Sequence, residues 1–313
     1  MAASTPQSLG DRMKGYESAI DHRVIRRSPT IIRLDGRAFH TFTRRYLNDV
    51  GVDMPFSNNM HECMLTTTKW LVANVQNCVL GYKQSDEISL LLNDWETLET
   101  QQWFDGKVQK IVSISASMAT AAFNVEAVNK GIIPNLEYIG NLATFDSRVF
   151  TLPFAEVCNY FVWRQQDIIR NSVQMLGHHH FSQKQLHAKT NDEVKEMLIS
   201  EKGIHWENSP TWAKYGAVVY RNPDVLSSSS RVIADTAPPL FTQDRRYVER
   251  FLEVQNDNVE VKKTGRRAER ALASKRVDEI HEITPADQRD GTWRKWVREA
   301  DLFNIVSPPG PYT

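Results

Sequence analysis

Two short apolar runs, Cys78–Tyr82 and Glu87–Leu92, are separated by only four polar residues, Lys83-Gln84-Ser85-Asp86. So short a connection predicts an antiparallel hairpin, because parallel strands need a crossover of a dozen residues or more. Upstream lies PTIIRL from Pro29, a β-branched run closed by Asp35-Gly36, and then a stretch from Ser57 to about Gln76 with Met60, Met64, Leu65, Thr68, Leu71, Val72 and Val75 at helical spacing. Ser57 stands where an N-cap belongs. Downstream, Lys107 to Phe123 repeats the helical spacing and Ala143 to Thr151 reads as a strand. The order βαββαβ predicts an α+β, ferredoxin-like antiparallel sheet with its two helices on one face and strands one and three side by side.

That topology places chemistry. The first and third strands run antiparallel, so Asp35 at the end of one comes beside Asp86 and Glu87 at the start of the other. Two carboxylates meeting at a sheet edge suit a hard divalent cation such as Mg²⁺, which takes oxygen ligands from one or two carboxylates, a carbonyl and substrate phosphates. A pair of such ions can serve in-line phosphoryl transfer. By spacing alone, a turn aspartate before glycine and a plain hairpin tip fit equally well.

The rest of the chain adds boundaries and exclusions. Helical patterns follow from Phe154 to about Leu176, Ser182 to His187 and Asp192 to Ser200, with three consecutive histidines, His178 to His180, between the first two. Neighbours on a helix lie about 100° apart, so these three do not converge on one metal. Asn222 to Pro239, with serines at 227–230 and a proline pair, reads as a linker. The expected division is an α+β domain over residues 1–225 with helical additions, and a mainly helical extension over 226–313. That extension carries a basic run interleaved with acids, Arg245 to Arg276. Lysine plus arginine and aspartate plus glutamate both number 38, which excludes a generally basic nucleic-acid coat but not local phosphate-binding patches. Cys63, Cys78 and Cys158 are too few and too dispersed for a disulfide framework or a zinc site and read as buried hydrophobes. No uninterrupted apolar run approaches the length of a membrane span, so a cytoplasmic protein without a membrane role is expected.

Four segments in order, RLDGRAFHTFT from Arg33, YKQSDEISLLL from Tyr82, FDSRVF from Phe145 and YFVWRQQDIIRNSV from Tyr160, resemble the tRNA-His guanylyltransferase superfamily, whose members extend RNA at its 5′ end in the 3′-to-5′ direction on a polymerase-palm-like fold. The resemblance implies that Asp35, the Gly36 carbonyl and Asp86 bind two Mg²⁺ ions, with Glu87 supporting the catalytic aspartates. It places Gly36, Arg37, Ala38, Phe39, His40, Ser85 and Asp86 around a nucleoside triphosphate, ATP, GTP or another. It also puts Arg148, Arg164, Asn171, Lys184 and Lys189 against RNA.

FSQKQLHAK from Phe181 is similar to the Thg1-like branch, and Ile169 stands where the eukaryotic guanylyltransferases carry a histidine linked to tRNA-His selectivity. The resemblance therefore implies template-dependent repair of 5′-truncated tRNA or a tRNA-like RNA, ahead of G₋₁ addition to tRNA-His. It also implies a homotetramer or homodimer. A palm-fold nucleotide cyclase shares the βαββαβ plan and is the alternative of another class. One departure is Met54, where the family has a basic residue before the proline; Arg44 or Arg45 is the expected substitute.

Overall fold

The computed structural model describes residues 8–47, 55–97, 99–134, 142–222 and 232–253, all within one compact unit. In chain order the elements are α1 (Leu9–Ser18), β1 (Thr30–Gly36), α2 (Phe39–Leu47), α3 (Asn58–Asn74), β2 (Cys78–Gln84), β3 (Glu87–Leu92), α4 (Val108–Asn129), β4 (Phe145–Thr151), α5 (Phe154–His180), α6 (Gln183–Leu186), α7 (Asn191–Lys202), α8 (Thr211–Tyr215), β5 (Ala217–Arg221), β6 (Val232–Asp235) and α9 (Arg246–Glu249). They build one six-stranded sheet in the order β4-β1-β3-β2-β5-β6. Its first four strands have the predicted ferredoxin-like arrangement, with β1 and β3 adjacent and antiparallel.

Alternation along β1 sorts its residues between the two faces. Ile32 and Leu34 join Ile88, Leu90 and Leu92 beneath α3 and α4, where Met64, Leu71, Ile111 and Phe123 close the main core. Ser57 caps α3 by accepting from the Met60 N–H. By length and composition alone α4 is apolar enough to cross a bilayer. Its buried stripe, Ile111, Ser115, Ala119, Phe123 and Ala127, is instead a seam of this core.

The opposite face is also covered, which the two-helix expectation did not include. Ile31, Leu80, Tyr82 and Leu91 pack there against Val157, Cys158 and Phe161 of α5, with Phe241 and Val248 completing the cluster. Those last two residues and β6, which pairs with β5, lie beyond the expected boundary at residue 225. The sheet thus resumes after the serine-rich stretch, which composition alone marked as linker. Lys83 and Gln84 belong to β2 rather than to a polar tip, and both are buried. Residues 254–313, including most of the Arg245 to Arg276 run, and Met54 lie outside the described residues.

Candidate active site

The site begins where β1 runs out. Asp35 stands opposite Glu87 on β3 and Asp146 on β4. One residue on, the Gly36 N–H donates to the Asp86 carbonyl at 3.1 Å, and the Arg37 N–H donates to the Thr144 carbonyl at 2.8 Å. The hairpin turn is two residues, Ser85-Asp86, with Ser85 at φ +46°, the positive φ that tight hairpins demand. Gly36 has no room for a side chain, because a Cβ would overlap the Phe39 ring. Phe39 itself is locked by ring contacts with Phe42, Phe123 and Phe145. The β1 end, the hairpin and the start of α2 therefore hold one another in place.

The three expected acids fall into two kinds. Glu87 is neutralised: it pairs with Arg33, accepts from Arg164 at 2.5 Å and from the Gln84 amide at 3.0 Å. Asp35 and Asp86 have no lysine or arginine at ion-pairing distance among the described residues. Burial raises the Asp86 carboxyl to about 6; its own backbone hydrogen bond opposes this and the charge of Asp35 adds to it. Asp35 is raised too, first by burial and then by the Glu87 carboxylate, with Arg33 pulling the other way. Two crowded carboxylates without a counter-cation, beside a backbone carbonyl at Gly36, are a donor set that fits Mg²⁺ completed by substrate oxygens. Among the described residues no group of three His, Cys, Asp or Glu side chains forms a self-sufficient metal cage.

A cavity of about 340 Å³ opens beside the acids, of the size that small ligands occupy. Of the residues expected at a triphosphate, Phe39, His40, Ser85 and Asp86 line it. Gly36, Arg37 and Ala38 form the turn between β1 and α2, with Ala38 at φ +54° and Arg37 exposed. This turn presents the N-terminal end of a nine-residue helix, where backbone N–H groups without intrahelical partners favour phosphate. Arg44 on α2 sits 3.2 Å from the His40 ring.

Sequence reasoning missed the cavity's deeper wall. Lys83 of β2, His61 of α3 and Trp212 of α8 meet there. The Lys83 Nζ lies 3.0 Å from His61 Nδ1, and the His61 ring stacks on Trp212 with centroids 4.1 Å apart and planes 18° apart. The Tyr82 hydroxyl donates to the Tyr215 carbonyl at 2.7 Å, fastening the helix that bears Trp212 to β2. Burial pulls Lys83 down to about 7, although Asp86 and Glu62 oppose it. Burial and then the Lys83 charge pull His61 down to about 3. The available signal was placement: His61 interrupts the apolar stripe of α3, and Lys83 follows the buried Leu80-Gly81-Tyr82.

The expected RNA contacts divide. Arg148 on β4, with 57% of its side chain exposed, lies 3.6 Å from Asp146. Asn171 is exposed on α5 and donates to Asp167 at 3.3 Å, Lys184 is exposed on α6, and Lys189 pairs with Glu193 at 3.3 Å. Arg164 is a correction. Only 3% of its side chain is exposed, and its guanidinium serves Glu87 and Asp167 inside the protein, so it is not placed to meet RNA. The three cysteines are free and buried, as expected.

A palm-like sheet with two unneutralised aspartates at a strand end, a phosphate-favouring helix start and an adjoining cavity defines a nucleotidyltransferase. Comparison with known proteins agrees. Residues 10–153 match the family model for tRNAHis guanylyltransferase. A bacterial tRNA(His) guanylyltransferase (Thg1)-like protein solved with ATP is 41% identical with a TM-score of 0.70, covering 78% of this chain and 99% of that one. Another such structure, in complex with GTP, is 38% identical with a TM-score of 0.62 and covers the same shares. The tRNA(His) guanylyltransferase of Saccharomyces cerevisiae is 28% identical over 209 residues, 63% of this chain and 84% of the relative. The chain belongs to the tRNA(His) guanylyltransferase family.

Proposed function

We propose that this enzyme adds nucleotides to the 5′ end of tRNA in the 3′-to-5′ direction, in a Mg²⁺-dependent, template-directed repair of 5′-truncated molecules, in the cytoplasm. The observation that carries the reading is the split among the acids: Glu87 is fully neutralised by arginines, whereas Asp35 and Asp86 are left to hold cations. Asp35, Asp86 and the Gly36 carbonyl would hold Mg²⁺, which when bound supplies charge neutralisation to the attacking and leaving oxygens of an in-line displacement.

The protein's own groups orient the reactants. The start of α2 and Ser85 receive the triphosphate, and the cavity beyond receives the base. Glu87, clamped by Arg33 and Arg164, keeps the hairpin that carries Asp86 in register with Asp35. In the first reaction the 5′-phosphate of the RNA bonds to the α-phosphorus of a nucleoside triphosphate, ATP or GTP, and pyrophosphate leaves. In the second the 3′-hydroxyl of an incoming nucleotide bonds to the activated 5′-phosphorus, the activating nucleotide leaves as its monophosphate, and the hydroxyl proton passes to solvent. Both are in-line phosphoryl transfers, so one pair of aspartates serves both.

Addition of G₋₁ to tRNA-His is the second reading, supported by the names of the curated relatives. Against it stands Ile169, whose apolar side chain packs against the cluster of Val173, Leu176 and Trp206 and offers no hydrogen bond to an RNA base. The deciding experiment incubates the protein with Mg²⁺, ATP, labelled nucleotides and two 5′-monophosphorylated RNAs, full-length tRNA-His and another tRNA lacking its first nucleotide. Template-matched completion of the truncated tRNA is expected. Addition of G to tRNA-His alone would replace that reading with the second, and RNA-independent formation of a cyclic nucleotide would replace both with a cyclase.

A further inference from the structure

Lys83 and His61 are poorly suited to a hydrophobic core and well suited to a ligand. Lys83 is 2% exposed, and its ammonium, with three donors, has one hydrogen-bond partner among the described residues, His61 Nδ1. A buried cation compensated only by this bond and by the Trp212 ring, whose centroid is 5.2 Å from Nζ, is still costly, and an apolar residue would serve packing better. Both side chains line the cavity that reaches Ser85 and Asp86, so a bound molecule can supply the missing acceptors. His61 is held flat against Trp212. Its Nδ1 accepts from Lys83, which assigns the imidazole proton to Nε2 and makes the ring's free corner a donor. With Lys83 as its ammonium, the pair offers N–H groups and no acceptor.

We propose that Lys83 and His61 are specificity-determining residues that read the acceptor edge of a 6-oxopurine base, its O6 and N7, in the nucleotide bound between this cavity and the Asp35 and Asp86 carboxylates. The inference rests on the nucleotide reading of the site. Guanine and hypoxanthine present two acceptors on that edge, whereas adenine puts an amino group at position 6 and sets donor against donor. Met60, Met64 and Phe56 line the same cavity and contact any flat base alike, so discrimination falls to the polar pair.

The test is equilibrium binding of GTP, ITP, ATP and 2-aminopurine riboside triphosphate to the full-length protein in Mg²⁺ without RNA. GTP and ITP are expected to bind within about threefold of each other, and ATP and the 2-aminopurine nucleotide about tenfold or more weaker. Lys83→Met is expected to bring all four within about threefold. Equal binding of GTP and ATP by the natural protein overturns the proposal, as does a 2-aminopurine nucleotide that binds like GTP, or a folded Lys83→Met that keeps the full preference. Should that variant not fold, the ITP and 2-aminopurine comparison on the natural protein decides alone. Absence of binding by all four overturns the nucleotide reading itself, a result distinct from binding without discrimination.

Discussion

Asp35 and Glu87 face each other across β1 and β3, yet only Glu87 is matched by cations. The uncompensated charge is shared by Asp35 and Asp86, and the fold is less stable for it. Because burial raises the Asp86 carboxyl to about 6 from an ordinary 3.8, the folded protein binds a proton that the unfolded chain has already released between about pH 4 and 6. Stability is then greatest below that window and falls as pH rises through it. Asp86→Asn is expected to abolish nucleotide addition while raising stability in metal-free buffer at pH 7 by about 2 kcal/mol. Urea denaturation of both proteins, with labelled-nucleotide incorporation, checks this; an active variant would end the assignment of Asp86.

Arg164 and Glu87 make the converse case. Removing one member of a buried ion pair leaves the other charged and unsolvated, at about 3 kcal/mol or more. Glu87→Gln leaves Arg33 without an ion-pair partner and Arg164 with Asp167 alone, while Arg164→Met leaves Glu87 paired with Arg33. Thermal denaturation should therefore rank natural protein above Arg164→Met above Glu87→Gln. The reverse order for the two variants would mean that the network is misdescribed.

Periodicity made the βαββαβ core legible, and Ser57 marked the start of α3 to the residue. What misled was residue chemistry read without its surroundings. Gly177 follows the expected end of α5 near Leu176, but the helix continues to His180, and the glycine serves close packing instead of ending it: a Cβ there would come within 2.7 Å of Val194. Arg164 was set against RNA by its place in the family motif, and nothing local announces that Glu87, 77 residues away in sequence, will bury it. Lys83 was grouped with the hairpin tip on polarity alone. Its partner His61 lies 22 residues away on another element, and only the folded sheet brings the two together.

The exposed cations should behave as phosphate contacts. Lys184 and Arg148 make no buried ion pair, so Lys184→Ala and Arg148→Ala are expected to leave the melting temperature unchanged and to weaken tRNA binding similarly for all sequences. Each lost phosphate contact should make the dependence of log K on log salt shallower by about one unit. A salt titration of tRNA affinity tests this, and unchanged slopes in both variants would remove these residues from the RNA surface.

Lys83 supplies the sharpest pH prediction because its shift is large and its neighbours are few. The groups facing it are His61 and Glu62 from α3 and Asp86 from the hairpin. In the unfolded chain its amine stays protonated to about pH 10.5, whereas in the folded protein it releases its proton near 7. Between those values the unfolded state binds the extra proton, so this residue makes stability rise with pH; below about 7 its cost is at its fullest. Replacing it with methionine removes that cost. Lys83→Met should exceed the natural protein in stability by most at pH 6.5, with the advantage shrinking steadily toward pH 10. Urea denaturation at several pH values measures the difference directly, other titrating groups largely cancelling between the two proteins. Parallel curves would mean the ammonium is better compensated than His61 and the Trp212 ring allow, and would remove the argument that a bound ligand supplies its missing acceptors.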